Sequence, residues 1–310
     1  VLEKLFECRM LRWEQDFGAD LVRESLSLIW ASRRGLSESE ILGLMGDNGQ
    51  PLPHAVWSPF YLAAESSLVQ KTGLLAFSHD YFRKAVTARF LPTPSIQQRF
   101  HQRLIEYFMI QQGFSARKLI ELPWQLTEAR QWGLLSGFLT DAMVFTHLES
   151  YFPSDLLRYW NAAGDNANMV EEYDRRLTQM AQDGTLGDQL GRFRHCIARF
   201  LIKAGRYEDA SKMLKVCLEE RVTFDDNLYL DKTVLTLASA LSLADKLKEA
   251  DQIYETMAAR FEKSAQNERR YFPELLNGWG VLKKRLGEFE RAELLFRRAI
   301  SIDPEKEDLV

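Results

Sequence analysis

The sequence predicts a mainly α-helical chain, in which a small domain of helices and one hairpin precedes an α-solenoid of antiparallel helix pairs. Apolar residues recur at helical spacing over most of the 310 residues, which favours helices throughout. In the second half, a pattern of small and large apolar residues returns every 40 to 42 residues, as in proteins built from stacked helix pairs. Two short apolar runs flank the turn signal Lys71-Thr72-Gly73, which predicts a hairpin.

The clearest copy of the repeat ends at Pro304. Within it, the small residues Gly280 and Ala292 stand where two antiparallel helices must touch, and the large Phe296 is predicted to fill the gap to a following unit. Gly287 allows the turn between the helices, and Pro304 ends the second helix. This spacing is the tetratricopeptide pattern. Because one such unit cannot bury its own apolar faces, neighbouring units are expected.

Weaker copies of the same pattern lie before this unit. They place unit starts near residues 150, 191, 231 and 273, so tetratricopeptide-like helix pairs are predicted over residues 150–310. Two residues depart from the pattern, because Met257 stands where it has Ala and Lys283 where it has Tyr. Looser packing is expected at these two positions.

Residues 18–92 predict three helices followed by the hairpin. An apolar helix ends at Gly35, Ser37 and Glu40 form a capping box for a second helix, and a third helix covers residues 54–67. Helix, helix, helix and hairpin is the order of a winged-helix domain. The sequence therefore predicts a winged helix ahead of the α-solenoid.

A winged helix raises nucleic-acid binding as an alternative function. The third helix has no Lys, Arg, Asn or Gln with which to contact base edges. Residues 1–100 carry eleven basic and eleven acidic side chains, and the whole chain has a net charge of -4, so no basic surplus faces phosphates. These counts favour a partner other than nucleic acid.

The segment after the hairpin, FSHDYF, carries a family resemblance. Phe77, Ser78, His79 and Phe82 stand as they do at the end of the winged helix in signal-transducing NTPases with numerous domains, the class that includes nephrocystin-like proteins. The resemblance implies that residues 1–17 are the tail of a preceding NTPase domain, which the winged helix contacts. It also implies that His79 senses the phosphate of bound ADP or ATP in a longer protein. The alternative is that His79 only caps or packs at the strand-to-helix junction.

Residues 93–149 predict further helices. Within them, the segment ELPWQLTEARQW resembles the helical pair that links nephrocystin-like NTPase cores to their repeats, so these residues are interpreted as a helical linker. Leu122, Leu126, Leu135 and Leu139 are expected to pack against each other there.

No pattern in the chain indicates catalysis or a cofactor. The G-x-x-x-x-G-K-[ST] loop that holds nucleotide phosphates is absent, and the five histidines lack metal-site spacing, so neither an enzyme nor a bound cofactor or metal is predicted. ATP or ADP belongs to the longer protein that the resemblance implies, and the start at Val1 without Met is interpreted as a fragment. No apolar run is long enough to span a membrane, and the three cysteines lack pairing spacing. A cytoplasmic protein is predicted, and the resemblance implies a ciliary one.

The first helix of each tetratricopeptide unit lines a concave groove, and basic residues predominate at its facing positions. The candidate groove residues are Arg192, His195, Arg199, Lys203, Lys232, Asn277, Lys284 and Arg285. On an acidic chain this surplus predicts a protein or peptide partner with negative charge. The sequence therefore predicts a protein-interaction scaffold. Two alternatives stay open: a co-chaperone-like peptide-binding repeat protein, and ordinary solvated residues on the first helices.

Overall fold

A computed structural model describes residues 2–219, 227–263 and 270–302 of the chain. The described residues are mainly helical with one two-stranded sheet, which confirms the mainly α-helical character, while the winged-helix assignment stays a prediction. The chain divides into two compact units, unit 1 over residues 1–169 and unit 2 over residues 170–310. The domain boundaries drawn from the sequence stay predictions. Pro304, expected to end the last helix, lies outside the described residues.

Unit 1 opens with helices on either side of the predicted hairpin. In chain order the elements are α1 (Leu2–Phe17), α2 (Ala19–Ala31), α3 (Glu38–Leu44), α4 (His54–Ala64), β1 (Leu68–Lys71), β2 (Leu74–Phe77) and α5 (Asp80–Phe90). Strands β1 and β2 pair antiparallel, with Leu68 opposite Phe77. Thr72 and Gly73 between them have φ values of 51° and 82°. Two positive φ values in a two-residue loop suit the twist of the strands, and the predicted hairpin is confirmed.

Gly35 was predicted to end helix α2, and the structure gives it a different role. Helix α2 ends at Ala31, and Gly35 follows with φ 96°. A Cβ at Gly35 would lie 2.4 Å from the carbonyl oxygen of Leu75 in β2. The next residue, Leu36, donates to that oxygen at 3.0 Å and accepts from the Leu75 amide at 2.7 Å. The prediction that Gly35 ends the helix is therefore wrong: glycine is needed where the chain approaches β2.

Helix α1 packs into the core of unit 1. The Trp13 ring is 5% exposed and meets the rings of Phe60 and Phe82 edge-on, at centroid distances of 5.8 and 6.1 Å. Edge-to-face aromatic pairs add to the stabilisation that burial provides. Arg89 in α5 also pairs with Glu14 at 2.6 Å. Helix α1, which was interpreted as the tail of a preceding domain, thus packs within this unit.

The rest of unit 1 is helical. Its helices are α6 (Pro94–Ile110), α7 (Ala116–Glu128), α8 (Trp132–Leu139), α9 (Ala142–Tyr151) and α10 (Pro153–Ala163). Helix α6 packs on α2 and α7, and α7 packs on α8 and α10. The leucines expected in this packing are all buried, at Leu122, Leu126, Leu135 and Leu139. The region interpreted as a linker therefore has its own buried contacts.

A buried polar network centred on Arg117 ties α7 to the segment between α2 and α3. The Arg117 guanidinium donates to Glu40 at 2.8 Å, to Glu121 at 2.7 Å and to the Gly35 carbonyl at 2.7 Å. Glu121 is fully buried and also accepts from the Arg33 amide at 2.7 Å. Burial lowers the pKa of Arg117, but hydrogen bonds and charge from Glu40 and Glu121 raise that pKa more, so the group stays charged.

Glu40 also completes the capping box predicted at the start of α3. The Glu40 amide donates to the Ser37 hydroxyl at 3.2 Å, and the Ser37 amide donates to the Glu40 carboxylate at 2.8 Å. Both bonds satisfy amides that the first turn of a helix leaves without partners. The predicted capping box is confirmed.

Unit 2 is a run of helix pairs. Its helices are α11 (Met169–Gln182), α12 (Gly187–Lys203), α13 (Tyr207–Glu219), α14 (Asn227–Leu243), α15 (Leu247–Lys263), α16 (Phe272–Arg285) and α17 (Phe289–Ile302). From α12 to α17 each helix packs on the next. The pairs α12–α13, α14–α15 and α16–α17 coincide with the last three predicted repeats. This sequential packing is that of a helical solenoid.

The three helix pairs turn through the same backbone conformation. Gly205, Asp245 and Gly287 have φ values of 75°, 62° and 80°. At the last turn, the Glu288 amide donates to the Lys283 carbonyl at 2.9 Å and the Gly287 amide to the Lys284 carbonyl at 3.1 Å. These bonds satisfy carbonyls at the helix end, and glycine enters this left-handed region with little strain. The turn predicted at Gly287 is confirmed.

Replacing Gly287 by alanine is expected to lower the free energy of unfolding by about 1 kcal/mol, because a Cβ strains a left-handed residue. No neighbouring atom lies within 4 Å of the added Cβ, so the effect is one of backbone conformation alone. Gly137→Ala is the control, because Gly137 lies inside α8 with equal space around it and alanine favours a helix by roughly 0.5–1 kcal/mol. Urea unfolding of both variants measures the difference. A change of the same sign in both would contradict this account.

Close approach of α16 and α17 explains the small residue at Gly280. A Cβ at Gly280 would lie 2.6 Å from the Phe296 ring, and Ala292 is 3% exposed, so both small positions of the repeat are occupied as predicted. The structure places Phe296 against the first helix of its own unit. The gap to a following unit, where Phe296 was predicted to lie, is outside the described residues.

The looser packing predicted at Met257 and Lys283 is wrong. Met257 is 6% exposed and Lys283 is 4% exposed. The Lys283 ammonium donates to Asp251 at 2.9 Å and to Glu288 at 3.2 Å, and the Trp279 indole donates to Asp251 at 2.7 Å. Lysine thus replaces the expected tyrosine by linking α15, α16 and the start of α17 through paired charges.

Candidate functional site

One pocket of unit 2, about 540 Å³ in volume, lies among the first helices of the pairs. Four of the eight candidate groove residues line it: Arg199, Lys203, Lys232 and Asn277. They come from α12, α14 and α16, which are three separate elements in sequence. The repeat pattern had placed these residues on one face, and the structure brings them together around one cavity.

The pocket carries an excess of positive charge. Arg199 and Lys203 lie four residues apart on α12, and Lys232 lies on α14. Glu274, on α16, is the single acidic side chain of this lining. The charged side chains of the lining are therefore three cations and one carboxylate. The pocket suits a ligand that carries negative charge.

Polar groups at the base of the pocket add hydrogen-bonding capacity. Tyr254 from α15 is 3% exposed, and burial followed by the charge of Glu274 raises the pKa of its hydroxyl, which keeps it protonated as a donor. The side-chain oxygen of Asn277 is buried, and no described residue gives it a hydrogen bond. Gly278 makes room for the phenol, since a Cβ there would lie 2.7 Å from the Tyr254 hydroxyl.

Two candidate residues are committed to contacts within unit 2. His195 is 2% exposed, and its Nδ1 lies 3.1 Å from the Thr233 hydroxyl, which joins α12 to α14. Arg285 donates to the backbone carbonyl of Ser242 and, at 3.2 Å, to its hydroxyl. These side chains hold neighbouring helix pairs of unit 2 together. We therefore leave both out of the surface proposed for ligand contact.

Two further candidates lie outside the pocket lining. Arg192 pairs with Asp188 at 2.9 Å on the same helix, and its guanidinium lies 5.0 Å from the centre of the Tyr229 ring. Lys284 is exposed near the end of α16. Both side chains are exposed, and the Arg192–Asp188 pair contributes little to stability.

His79 lies in unit 1 at the junction between β2 and α5. It is the residue that precedes the first turn of α5, and its carbonyl accepts from the amides of Phe82 at 3.0 Å and Arg83 at 3.2 Å. The exposed imidazole makes no capping hydrogen bond. His79 therefore occupies the N-cap position of α5 without a side-chain cap, and its role as a nucleotide sensor stays a prediction.

The described ranges 2–219, 227–263 and 270–302 contain neither a candidate metal site nor a candidate membrane span. Within these ranges no group of three or more His, Cys, Asp or Glu side chains is placed to hold a metal ion. None of the helices there is both long enough and apolar enough to cross a membrane.

Comparison with known proteins agrees with the helix pairs. No protein-family model matches the chain. A TPR repeat-containing protein of Dictyostelium discoideum is 24% identical over 96% of this chain. The chain is a distant relative of tetratricopeptide-repeat proteins. Human nephrocystin-3 is 26% identical over 77% of the chain, and the matched region spans 19% of the length of each relative.

Sequence reasoning missed part of the pocket. Tyr254 stands at the large position of its repeat, the one that Phe296 has in the last repeat, and it also borders the cavity. The pattern marked neither Tyr271, which precedes α16, nor Thr236, one turn after Lys232. Helical spacing from Lys232 would have found Thr236, since residues four apart share a face. Tyr271 has no such signal, because it lies outside the helix whose periodicity was used.

Proposed function

We propose that the chain is a protein-interaction scaffold whose repeat groove binds a negatively charged peptide segment of a partner protein. The observation that carries this proposal is the convergence of Arg199, Lys203 and Lys232 on one pocket with Glu274 as its one acidic lining residue. Charge complementarity of this kind steers partners and fixes their register. The distant relationship to tetratricopeptide-repeat proteins supports a binding role, since stacked helix pairs present a concave surface.

The test is a pull-down with the whole chain as bait, beside the variant Arg199→Glu, Lys203→Glu, Lys232→Glu. Partners held by the groove are expected to be lost from this variant, because three charges at the pocket reverse their sign and like charges repel. Circular dichroism and thermal unfolding establish that the variant is folded.

The matched control is Lys212→Glu, Lys248→Glu, Lys263→Glu. These three lysines are exposed on α13 and α15, the second helices of their pairs, and none lines the pocket. The control changes the net charge equally, so it should retain the partners that the groove variant loses. Equal retention by both variants, or equal loss from both, would contradict the proposal.

Helices α2 to α4 and the hairpin form, in this proposal, a winged helix that makes protein rather than DNA contacts. Helix α4 has no Lys or Arg, and its exposed side chains include Val56 and Leu62. Such a face offers nothing to phosphates, and it supports contact with a protein surface. We assign to this winged helix a regulatory contact with an upstream NTPase domain of a longer protein.

Nucleotide control belongs to the same proposal. ATP or ADP bound by the upstream domain would change the exposure of the scaffold, and His79 would contact the phosphate. Its exposure at the N-terminus of α5 supports this role, because helix N-termini attract anions. In a longer version of the protein, ADP should slow hydrogen exchange around β2 and α5, and His79→Ala should abolish the effect. Hydrogen exchange that ADP leaves unchanged would contradict this nucleotide control.

A cytoplasmic and ciliary location is proposed on the resemblance alone.

A further inference from the structure

The hydroxyl of Tyr254 is a polar group that the packing of unit 2 does not explain. The corresponding positions of the neighbouring repeats hold Leu214 and Phe296, so the large side chain needs no polar atom there. Tyr254 is 3% exposed, yet none of the hydrogen bonds among the described residues involves its hydroxyl. A buried tyrosine normally finds a partner for this group. The unused donor therefore indicates a partner that the described residues do not include.

This hydroxyl opens onto the pocket of unit 2. Tyr254 and Gly278 both line that pocket. The side-chain oxygen of Asn277 is sealed from solvent, but the Tyr254 hydroxyl is not one of the sealed atoms that lack a partner. A Cβ at Gly278 would lie 2.7 Å from the hydroxyl, which is too close for atoms that are not bonded. The hydroxyl thus stands in the space that glycine leaves free within the pocket lining.

Glycine at position 278 goes with tyrosine at position 254. The residue of α14 that corresponds to Gly278 is Thr236, and the large residue of the repeat before it is Leu214. Glycine inside a helix costs about 0.5–1 kcal/mol relative to alanine, so a need for space has to offset this cost. The Tyr254 atom closest to the added Cβ is the hydroxyl oxygen, while the nearest ring carbons lie at 3.2 and 3.3 Å. Gly278 therefore makes room for the hydroxyl in particular.

Charge indicates which kind of acceptor this donor suits. Burial, followed by the charge of Glu274, raises the pKa of the Tyr254 hydroxyl, so the group stays a neutral donor. Glu274 lines the same pocket, and its carboxylate would repel an anion placed against Tyr254. An uncharged carbonyl oxygen meets no such repulsion. Every residue of a peptide carries one such oxygen on its main chain.

We propose that the Tyr254 hydroxyl donates a hydrogen bond to a main-chain carbonyl of the bound peptide, and that Gly278 keeps the hydroxyl in place for this contact. The inference rests on the proposed peptide-binding groove, and it adds a contact that does not depend on the charge of the peptide. Tyr254 touches the ligand, whereas Gly278 is a positioning residue.

The test measures peptide binding to the whole chain by fluorescence anisotropy. The probes are two labelled pools of degenerate peptides, one with two fixed glutamates and one with two fixed glutamines. Tyr254→Phe is expected to weaken binding of the glutamate pool by about two- to tenfold, the range that one neutral hydrogen bond supplies. The factor should be the same at low and high salt, because salt screens charges and not a neutral donor. Tyr207→Phe removes a hydroxyl from α13 outside the pocket lining, and it should leave binding unchanged.

Gly278→Ala tests the positioning residue. The added Cβ forces the Tyr254 hydroxyl to move, so binding should weaken at least as much as in Tyr254→Phe. The double variant Gly278→Ala, Tyr254→Phe removes the closest contact and leaves ring carbons that small shifts accommodate. Its affinity should equal that of Tyr254→Phe alone, and additive losses would overturn the positioning role. Circular dichroism and thermal unfolding verify that each variant is folded, and Tyr254→Phe decides the carbonyl contact even if Gly278→Ala does not fold.

The outcomes separate this contact from the function on which it rests. Unchanged binding in Tyr254→Phe would overturn the carbonyl contact and leave the scaffold function standing. A loss that disappears at high salt, or one confined to the glutamate pool, would indicate a charged acceptor and overturn the contact as well. If neither pool binds the parent chain, the carbonyl contact fails, and the pull-down decides the scaffold function separately.

Discussion

Arg117→Ala is expected to lower the free energy of unfolding of unit 1 by about 3–5 kcal/mol, because removing one partner of a buried ion pair leaves charge without compensation. Glu121 is fully buried and Glu40 is 7% exposed. Both carboxylates take their charge-neutralising bonds from Arg117. Without the guanidinium, the two carboxylates would keep only neutral donors, and the Gly35 carbonyl would lose a donor.

Hydrogen exchange of peptides from α3 and α7 measures this loss within unit 1, and urea unfolding of the whole chain gives its size. Arg34→Ala is the matched control, since Arg34 is an exposed arginine in the segment between α2 and α3. It should change the unfolding free energy by less than about 0.5 kcal/mol. Equal effects of the two alanine variants would refute the buried-network account.

A second substitution separates charge from packing. Glu121→Gln in the Arg117→Ala background removes the fully buried negative charge while it keeps the shape of the side chain. It should restore part of the lost stability, because an uncharged amide costs less to bury than a carboxylate. No recovery would mean that the packing of the Arg117 stem, and not the charge balance, accounts for the loss.

Local spacing explains what could be predicted of the fold. Gly280 and Gly287 belong to contacts made within a single repeat, where helix geometry determines which residues meet. The same geometry placed Arg199 and Lys203 on the face of α12 that borders the pocket. Fold class and half of the candidate groove residues therefore follow from short-range periodicity.

Contacts between residues far apart in sequence explain what could not be predicted. Periodicity gave His195 the same facing position as its neighbours, but its side chain is covered because Thr233 and Tyr229 of α14 pack over it. Arg117 meets Glu40 across 77 positions of sequence, and no spacing rule links them. Such pairs depend on how helices pack, which a single sequence does not encode in its local pattern.

Lys283→Ala is expected to lower the free energy of unfolding of unit 2 by about 2 kcal/mol, since bonds between charged groups are among the stronger side-chain contacts. The Lys283 side chain is 5% exposed, while its partner Asp251 is 30% exposed and can be partly hydrated when left alone. Because of this partial hydration, Lys283→Ala should lower the free energy of unfolding by less than Arg117→Ala does. Hydrogen exchange of peptides from α15 and α16 reports the local change.

Lys283→Met is the companion variant, because methionine keeps most of the apolar stem and removes the charge. A smaller loss than in Lys283→Ala would assign the difference to packing of the stem. Identical losses would assign the whole effect to the ion pairs with Asp251 and Glu288. Unchanged stability in both variants would contradict any structural role for the buried ammonium.

The pH dependence of the same contact is a further consequence of this prediction. Hydrogen bonds from Arg291 and then from Lys283 lower the pKa of Glu288 in the folded state. A lowered carboxyl pKa contributes stability that is present above the unfolded value of about 4.3 and is lost as the pH falls through the folded value. Lys283→Met removes one of the two donors, so less stability should be lost on acidification below that pH. Thermal unfolding across this range, in parent and variant, tests whether Lys283 holds Glu288 in its ionised form.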